Sequence, residues 1–149
     1  PELAYANSAN GFNHSGNTIG TLVGVGATAN FYNAGQIESP IEFTISINTA
    51  FEKTLVWNFT NSTSGEIFTL QSLMYLTELE EDDGIWTIHC DPAKGLITGT
   101  TSTAGLTGNV YNLNSLHNGV FLKAYPGDNF LSTDRTISAI NIKYKYKYW

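Results

Sequence analysis

Nine residues near the C-terminal end, Ile140-Asn141-Ile142-Lys143-Tyr144-Lys145-Tyr146-Lys147-Tyr148, alternate between apolar or aromatic and polar side chains. Successive side chains on a strand point to opposite faces, so one face of this stretch is aliphatic and aromatic and the other carries three lysines. A strand with one oily face must bury it against a second layer, which constrains the fold more than any other feature of the chain. On the polar face the lysines read as a guard against edge pairing, with a phosphate on a wall polymer as the other reading.

The same period of two recurs upstream. Ile41 to Asn48 alternates for eight residues, with Ile41, Phe43, Ile45 and Ile47 inward. Thr54 to Thr60 places Leu55, Trp57 and Phe59 on one face. The turn-rich Asn61-Ser62-Thr63-Ser64-Gly65 then leads into a short strand from Glu66 to Leu70, which makes a hairpin. Ile85 to Cys90 buries Trp86, Ile88 and Cys90, and Asp91-Pro92-Ala93-Lys94-Gly95 turns into Leu96-Ile97-Thr98 as a second hairpin. No window holds apolar residues at helical spacing for three turns. The expected fold class is all-β, an antiparallel two-sheet β-sandwich. Residues 1–27, rich in Asn, Gly and Ser, are expected as an arm and loops flanking a first short strand, with the sandwich proper at 28–149. Gly24-Val25-Gly26-Ala27-Thr28-Ala29 matches a permissive dinucleotide fingerprint, but its flanks supply no strand, helix or βαβ unit.

At 149 residues the chain is one domain rather than two. Charged residues make up 13 %, about half the usual share, and 15 Asn, 18 Thr, 11 Ser and 14 Gly stand in their place. The surface is therefore dominated by neutral hydrogen-bonding groups. A net charge of −6 repels phosphate backbones and anionic lipid, so neither nucleic acid nor membrane insertion is an expected partnership. Pro1 in place of Met reads as a processed chain or a piece of a larger protein. The single Cys90 excludes an internal disulfide and a cysteine-rich zinc site, and its neighbour His89 points to the other face of the strand. The three histidines, His14, His89 and His117, lack zinc-type spacing, and no cofactor is expected.

Several segments occur in a recognisable order: Phe31-Tyr32-Asn33-Ala34-Gly35 with Ser39-Pro40, Gly65-Glu66-Ile67-Phe68-Thr69-Leu70, Ile88-His89-Cys90-Asp91, the run Phe121 to Asn129 containing Tyr125-Pro126-Gly127-Asp128-Asn129, and the closing strand. Over roughly residues 28–149 this order resembles the C-terminal, galectin-like domain of siphophage distal tail proteins, and the related carbohydrate-binding modules of phage baseplates. The resemblance implies a jelly-roll, galectin-like sandwich at a phage tail tip. Its partners would be host cell-wall polysaccharide and other phage tail proteins, and its function non-catalytic. The alternative is a structural tail-assembly module that binds no sugar. The ring-assembly domain of distal tail proteins is absent from the chain.

Sugars are amphipathic and uncharged, so their sites combine an aromatic ring with short polar side chains. The richest such cluster is Tyr111-Asn112-Leu113-Asn114-Ser115-Leu116-His117-Asn118, from which Tyr111, Asn112, Asn114, His117 and Asn118 are candidate carbohydrate contacts. Tyr125, Asp128 and Asn129 form a second cluster, although Pro126 to Asn129 also reads as a tight turn whose Asp and Asn bond their own backbone. Tyr32 is a further candidate platform. Trp86 falls on an inward face, which favours the core, yet as the strand end after an acidic loop it is also a candidate ring. In that loop Glu78, Glu80, Glu81, Asp82 and Asp83 are carboxylate enough for calcium but miss the EF-hand spacing, and neighbours in one loop rarely face each other as a glycosidase pair. Asn58-Phe59-Thr60 and Asn61-Ser62-Thr63 fit the glycosylation acceptor rule.

Overall fold

The computed structural model describes residues 18–47, 56–71 and 85–148. The acidic run at 78–83, His14 and Leu55 lie outside these residues. Among these residues the strands are β1 (Thr18–Asn33), β2 (Ser39–Pro40), β3 (Glu42–Ile47), β4 (Trp57–Asn61), β5 (Glu66–Leu70), β6 (Trp86–Asp91), β7 (Leu96–Thr101), β8 (Tyr111–Asn112), β9 (Lys123–Ala124) and β10 (Gly127–Tyr146), with one 3₁₀ turn at Asn114–Leu116. Every strand pair is antiparallel.

β10 organises the fold. Along one side this 20-residue strand pairs with β1 from Gly127 to Tyr146, with breaks in the register. On the other side Leu131 to Thr133 pair with β4, and Ile137 to Lys143 pair with β3. The register breaks where this change of partner occurs, at Ile137/Ala139 on β10 and at Gly24/Gly26 and Gly26/Thr28 on β1. Bulges bend strands and let them pass from one layer to the next. One layer is thus β5-β4 with the first part of β10 and the end of β1. The other is β3-β6-β7-β8 with the second part of β10 and the start of β1. Among the described residues no strand pairing joins β5 to β8 at the ends of the path, so the fold is a sandwich and not a closed barrel.

The core confirms that these layers face each other. Phe43 on β3 meets Phe59 on β4 edge-on at 5.0 Å and Phe68 on β5 at 5.1 Å. Edge-to-face contact of this kind adds to the gain from burying the rings. The expected inward sets all lie in the core: Ile41, Phe43, Ile45 and Ile47, then Trp57 and Phe59, then Trp86, Ile88 and Cys90. Gly99 on β7 makes room for Trp86, since a Cβ there would stand 3.3 Å from the indole and 3.0 Å from Leu113. Ile140, Ile142, Tyr144 and Tyr146 are buried while Lys143, Lys145 and Lys147 are exposed.

Two expectations change. β1 is a 16-residue strand running across position 27, so the later part of the expected N-terminal arm is sheet. It also contains Gly24 to Ala29, which as strand backbone has no phosphate-binding turn to offer. β10 is flanked on both sides as far as Lys143, so that lysine has no open edge to guard.

Candidate functional site

The candidate residues of Tyr111 to Asn118 turn out to build the fold. Tyr111 on β8 lays its ring on Trp86, centroids 5.6 Å apart, and Asn109 donates to its hydroxyl at 3.3 Å. The Asn112 carboxamide oxygen accepts from the Asn114 N–H at 2.9 Å. Asn114 in turn accepts from the Ile97 N–H at 2.8 Å and donates to the Gly95 carbonyl at 3.1 Å, tying this loop to the start of β7. Asn118 accepts from the N–H groups of Thr69 and Val120 and donates to the Ile67 carbonyl at 2.8 Å, so its amide extends the edge of β5. His117 packs on Phe68 at 4.4 Å and Phe121 at 4.9 Å and donates from Nε2 to the Val120 carbonyl at 2.7 Å. Burial lowers its pKa, partly offset by that hydrogen bond.

Two candidates are corrected outright. Trp86 is fully buried in the core and presents no ring at the sandwich edge. Asn129 is also fully buried, and all of its hydrogen-bonding capacity is committed: Oδ1 accepts from Asn61 and from the Tyr125 N–H, while Nδ2 donates to the carbonyls of Tyr125 and Gly127. Its side chain bonds its own backbone as expected, but Gly127 to Asn129 already belong to β10, so the turn is confined to the residues before Gly127. Asn61 is equally buried, its amide bonded to Lys123 and Asn129, and so is no glycosylation acceptor in the folded chain. Tyr125 is half-buried above this turn, its hydroxyl pKa raised by burial, then by the hydrogen bond and charge of Glu66 and the charge of Glu38.

Tyr32 and Asp128 are brought together. They are direct partners across β1 and β10, and the next outward-facing pair is Asn30 with Phe130. The result is a checkerboard on the outer face of the first layer, with two rings on one diagonal and an amide and a carboxylate on the other. Diagonal positions on adjacent strands lie about 7–8 Å apart, close to the width of one sugar ring. Tyr32 is 53 % exposed and Phe130 48 %. Asn30 and Asp128 are exposed, and neither side chain is engaged by a described residue. The backbone beneath is braced from two directions. The Tyr144 hydroxyl donates to the Tyr32 carbonyl at 2.7 Å, and Thr63 ties the β4–β5 turn to Asp128 and Phe130.

Asn30 and Phe130 were not among the expected contacts. Their signal is an inversion of polarity: Asn129 occupies the inward slot, which leaves the neighbouring phenyl ring outside. Comparison with protein-family models and with curated proteins finds no match.

A second outer surface lies on β10, β3 and β6. Thr44, His89, Asn141 and Lys143 line a depression of about 400 Å³ there, and His89 donates to the Glu42 carboxylate at 3.0 Å. It carries an amide, a hydroxyl and an imidazole but no exposed tyrosine, phenylalanine or tryptophan ring. Beneath it the Cys90 thiol is buried and its pKa pushed up to about 12, by burial first and then by Asp91 and Glu42, so it is no nucleophile.

Proposed function

We propose that the chain is a non-catalytic carbohydrate-binding module of a phage tail or baseplate protein that attaches to host cell-wall polysaccharide at the tail tip. The observation that carries this reading is the checkerboard of Tyr32 and Phe130 with Asn30 and Asp128. The rings offer a surface to the apolar face of a pyranose while the free amide and carboxylate reach its hydroxyls. A surface built for subunit assembly would be apolar and continuous. Here the two rings are separated by polar side chains. Such a shallow site binds weakly alone, and attachment comes from many copies acting together.

The test is binding of the fluorescently labelled chain to whole Gram-positive cells and to their extracted wall polysaccharide, beside a Tyr32→Ala, Phe130→Ala double variant. Saturable binding that the variant loses is the expected result. Undiminished binding by the variant would remove the checkerboard from the site. No saccharide binding by the parent chain would leave the structural tail module as the better reading.

A further inference from the structure

Lys143, Lys145 and Lys147 are three of the seven basic residues of a chain whose net charge is −6. All three line one pocket of about 350 Å³ at the end of β10. The other charged groups in its lining are already turned elsewhere. Glu42 accepts from His89 at 3.0 Å, and Asp91 faces Lys94 at 3.9 Å. Among the described residues no carboxylate lies within ion-pair distance of Lys143, Lys145 or Lys147. Three ammonium groups outnumber the two carboxylates of the lining, Glu42 and Asp91, so this concavity is locally positive on a chain that is acidic overall.

A second observation comes from the lining of the same pocket. Ser39 lines it, is only 1 % exposed, and its hydroxyl has no hydrogen-bond partner. An unsatisfied buried hydroxyl is destabilising and calls for a partner. The backbone around it is held firmly. Ser39 pairs with Ala124, and Lys147 accepts through its carbonyl from the N–H groups of Gln36 and Ile37. Gly35 lets that approach happen, because a Cβ there would stand 2.7 Å from the Lys147 nitrogen.

The geometry points to an anion site for a phosphoryl group carried on a short polyol. Lysines act as compact point charges with donors in several directions, which suits the oxygens of a tetrahedral phosphoryl group. A planar carboxylate is better matched by the arginine fork, and none of the pocket's cations is Arg. The Ser39 hydroxyl, sealed from solvent in this structure, turns out to one oxygen as a neutral donor when the anion is seated. Pro40, Pro92 and Ala93 add hydrocarbon to the lining, and the volume exceeds what a bare phosphate fills, so the carbon chain has a place as well. This site does not rest on the saccharide reading, since it shares no residue with the checkerboard.

The experiment is a titration of the isotopically labelled chain at low salt with glycerol 3-phosphate, inorganic phosphate and phosphatidylglycerol vesicles, followed by amide chemical shifts. The expected result is saturable shifts at Ser39, Lys145 and Lys147 with glycerol 3-phosphate, and weaker ones with inorganic phosphate. The Lys145→Gln, Lys147→Gln variant, altered only at exposed positions, should weaken binding about tenfold or more. Ser39→Ala should weaken it by a smaller factor, and Tyr32→Ala, Phe130→Ala should leave it unchanged. Absence of saturable shifts, or equal binding by the lysine variant, overturns the site. Binding to the vesicles alone also overturns it and assigns the lysines to a lipid surface.

Discussion

The stretch Tyr111 to Asn118 and the surface made by Asn30, Tyr32, Asp128 and Phe130 contain the same ingredients, rings beside short polar side chains, and hold them differently. In the first, Asn114 and Asn118 satisfy backbone groups of β7 and β5, and the Tyr111 ring lies on Trp86. In the second, backbone pairing between β1 and β10 already satisfies the main chain, so the side chains are left over for a ligand. A segment without long strands must draw on its side chains for hydrogen bonds that a regular ladder supplies for nothing. In this chain the polar residues of that loop are therefore poorer candidates for ligand contact than those on the open face of the β1–β10 pair.

The largest effect that would sharpen this contrast is at Asn129. Asn129→Ala removes four hydrogen bonds in a fully buried place and leaves the Asn61 amide and the Tyr125 N–H short of a partner. The loss should be about 3 kcal/mol, read as a lower urea midpoint with unchanged slope. A midpoint equal to that of the parent chain would mean that this turn is not held as described. Asn118→Ala should cost about 1–2 kcal/mol, because its partners lie at the surface where water replaces part of what is lost. Saccharide binding by the Asn118 variant, scaled to its folded fraction, should equal the parent's; a specific loss would return the Tyr111 to Asn118 loop to the site.

Tyr32→Ala should show the opposite pairing of effects. More than half of the ring is already in water, so stability should change within about 0.5 kcal/mol. Saccharide binding should weaken by about tenfold, equivalent to about 1.4 kcal/mol. A destabilised variant that binds normally would break the comparison at its centre.

Much of the fold was legible in the chain, and the reason is periodicity. Ile41 to Ile47, Trp86 to Cys90 and Ile140 to Tyr146 alternate so cleanly that their buried faces could be read residue by residue. Length and partner were not legible. β10 extends to Gly127 because its first part reverses the rule, burying Asn129 and exposing Phe130, and hydrophobic pattern alone cannot show that. Its position between β1 and β3 depends on contacts across more than ninety residues of sequence, such as Ile142 with Phe43. The candidate site suffered from the same limit. Tyr32 and Asp128 could each be suspected, but Asn30 and Phe130 join them only through a register that no local signal encodes.

The smallest effect concerns His117, whose ring is held between Phe68 and Phe121. Burial lowers its pKa from the ordinary 6.5. The unfolded chain then binds a proton more readily than the folded one, so protonation favours unfolding. The contribution of the neutral ring is complete above 6.5 and declines as pH falls from there to the lowered folded value, below which it is flat. His117→Gln removes the packing at every pH, a fixed loss, and with it this pH-dependent part. The stability advantage of the parent chain over the variant should therefore be largest near pH 7.5 and shrink toward about pH 5.5, a range above the ordinary carboxylate titrations. Urea midpoints of both chains across that interval measure it. A constant difference would mean that the ring is as well hydrated as in the unfolded chain, and would make His117 a surface residue open to ligand after all.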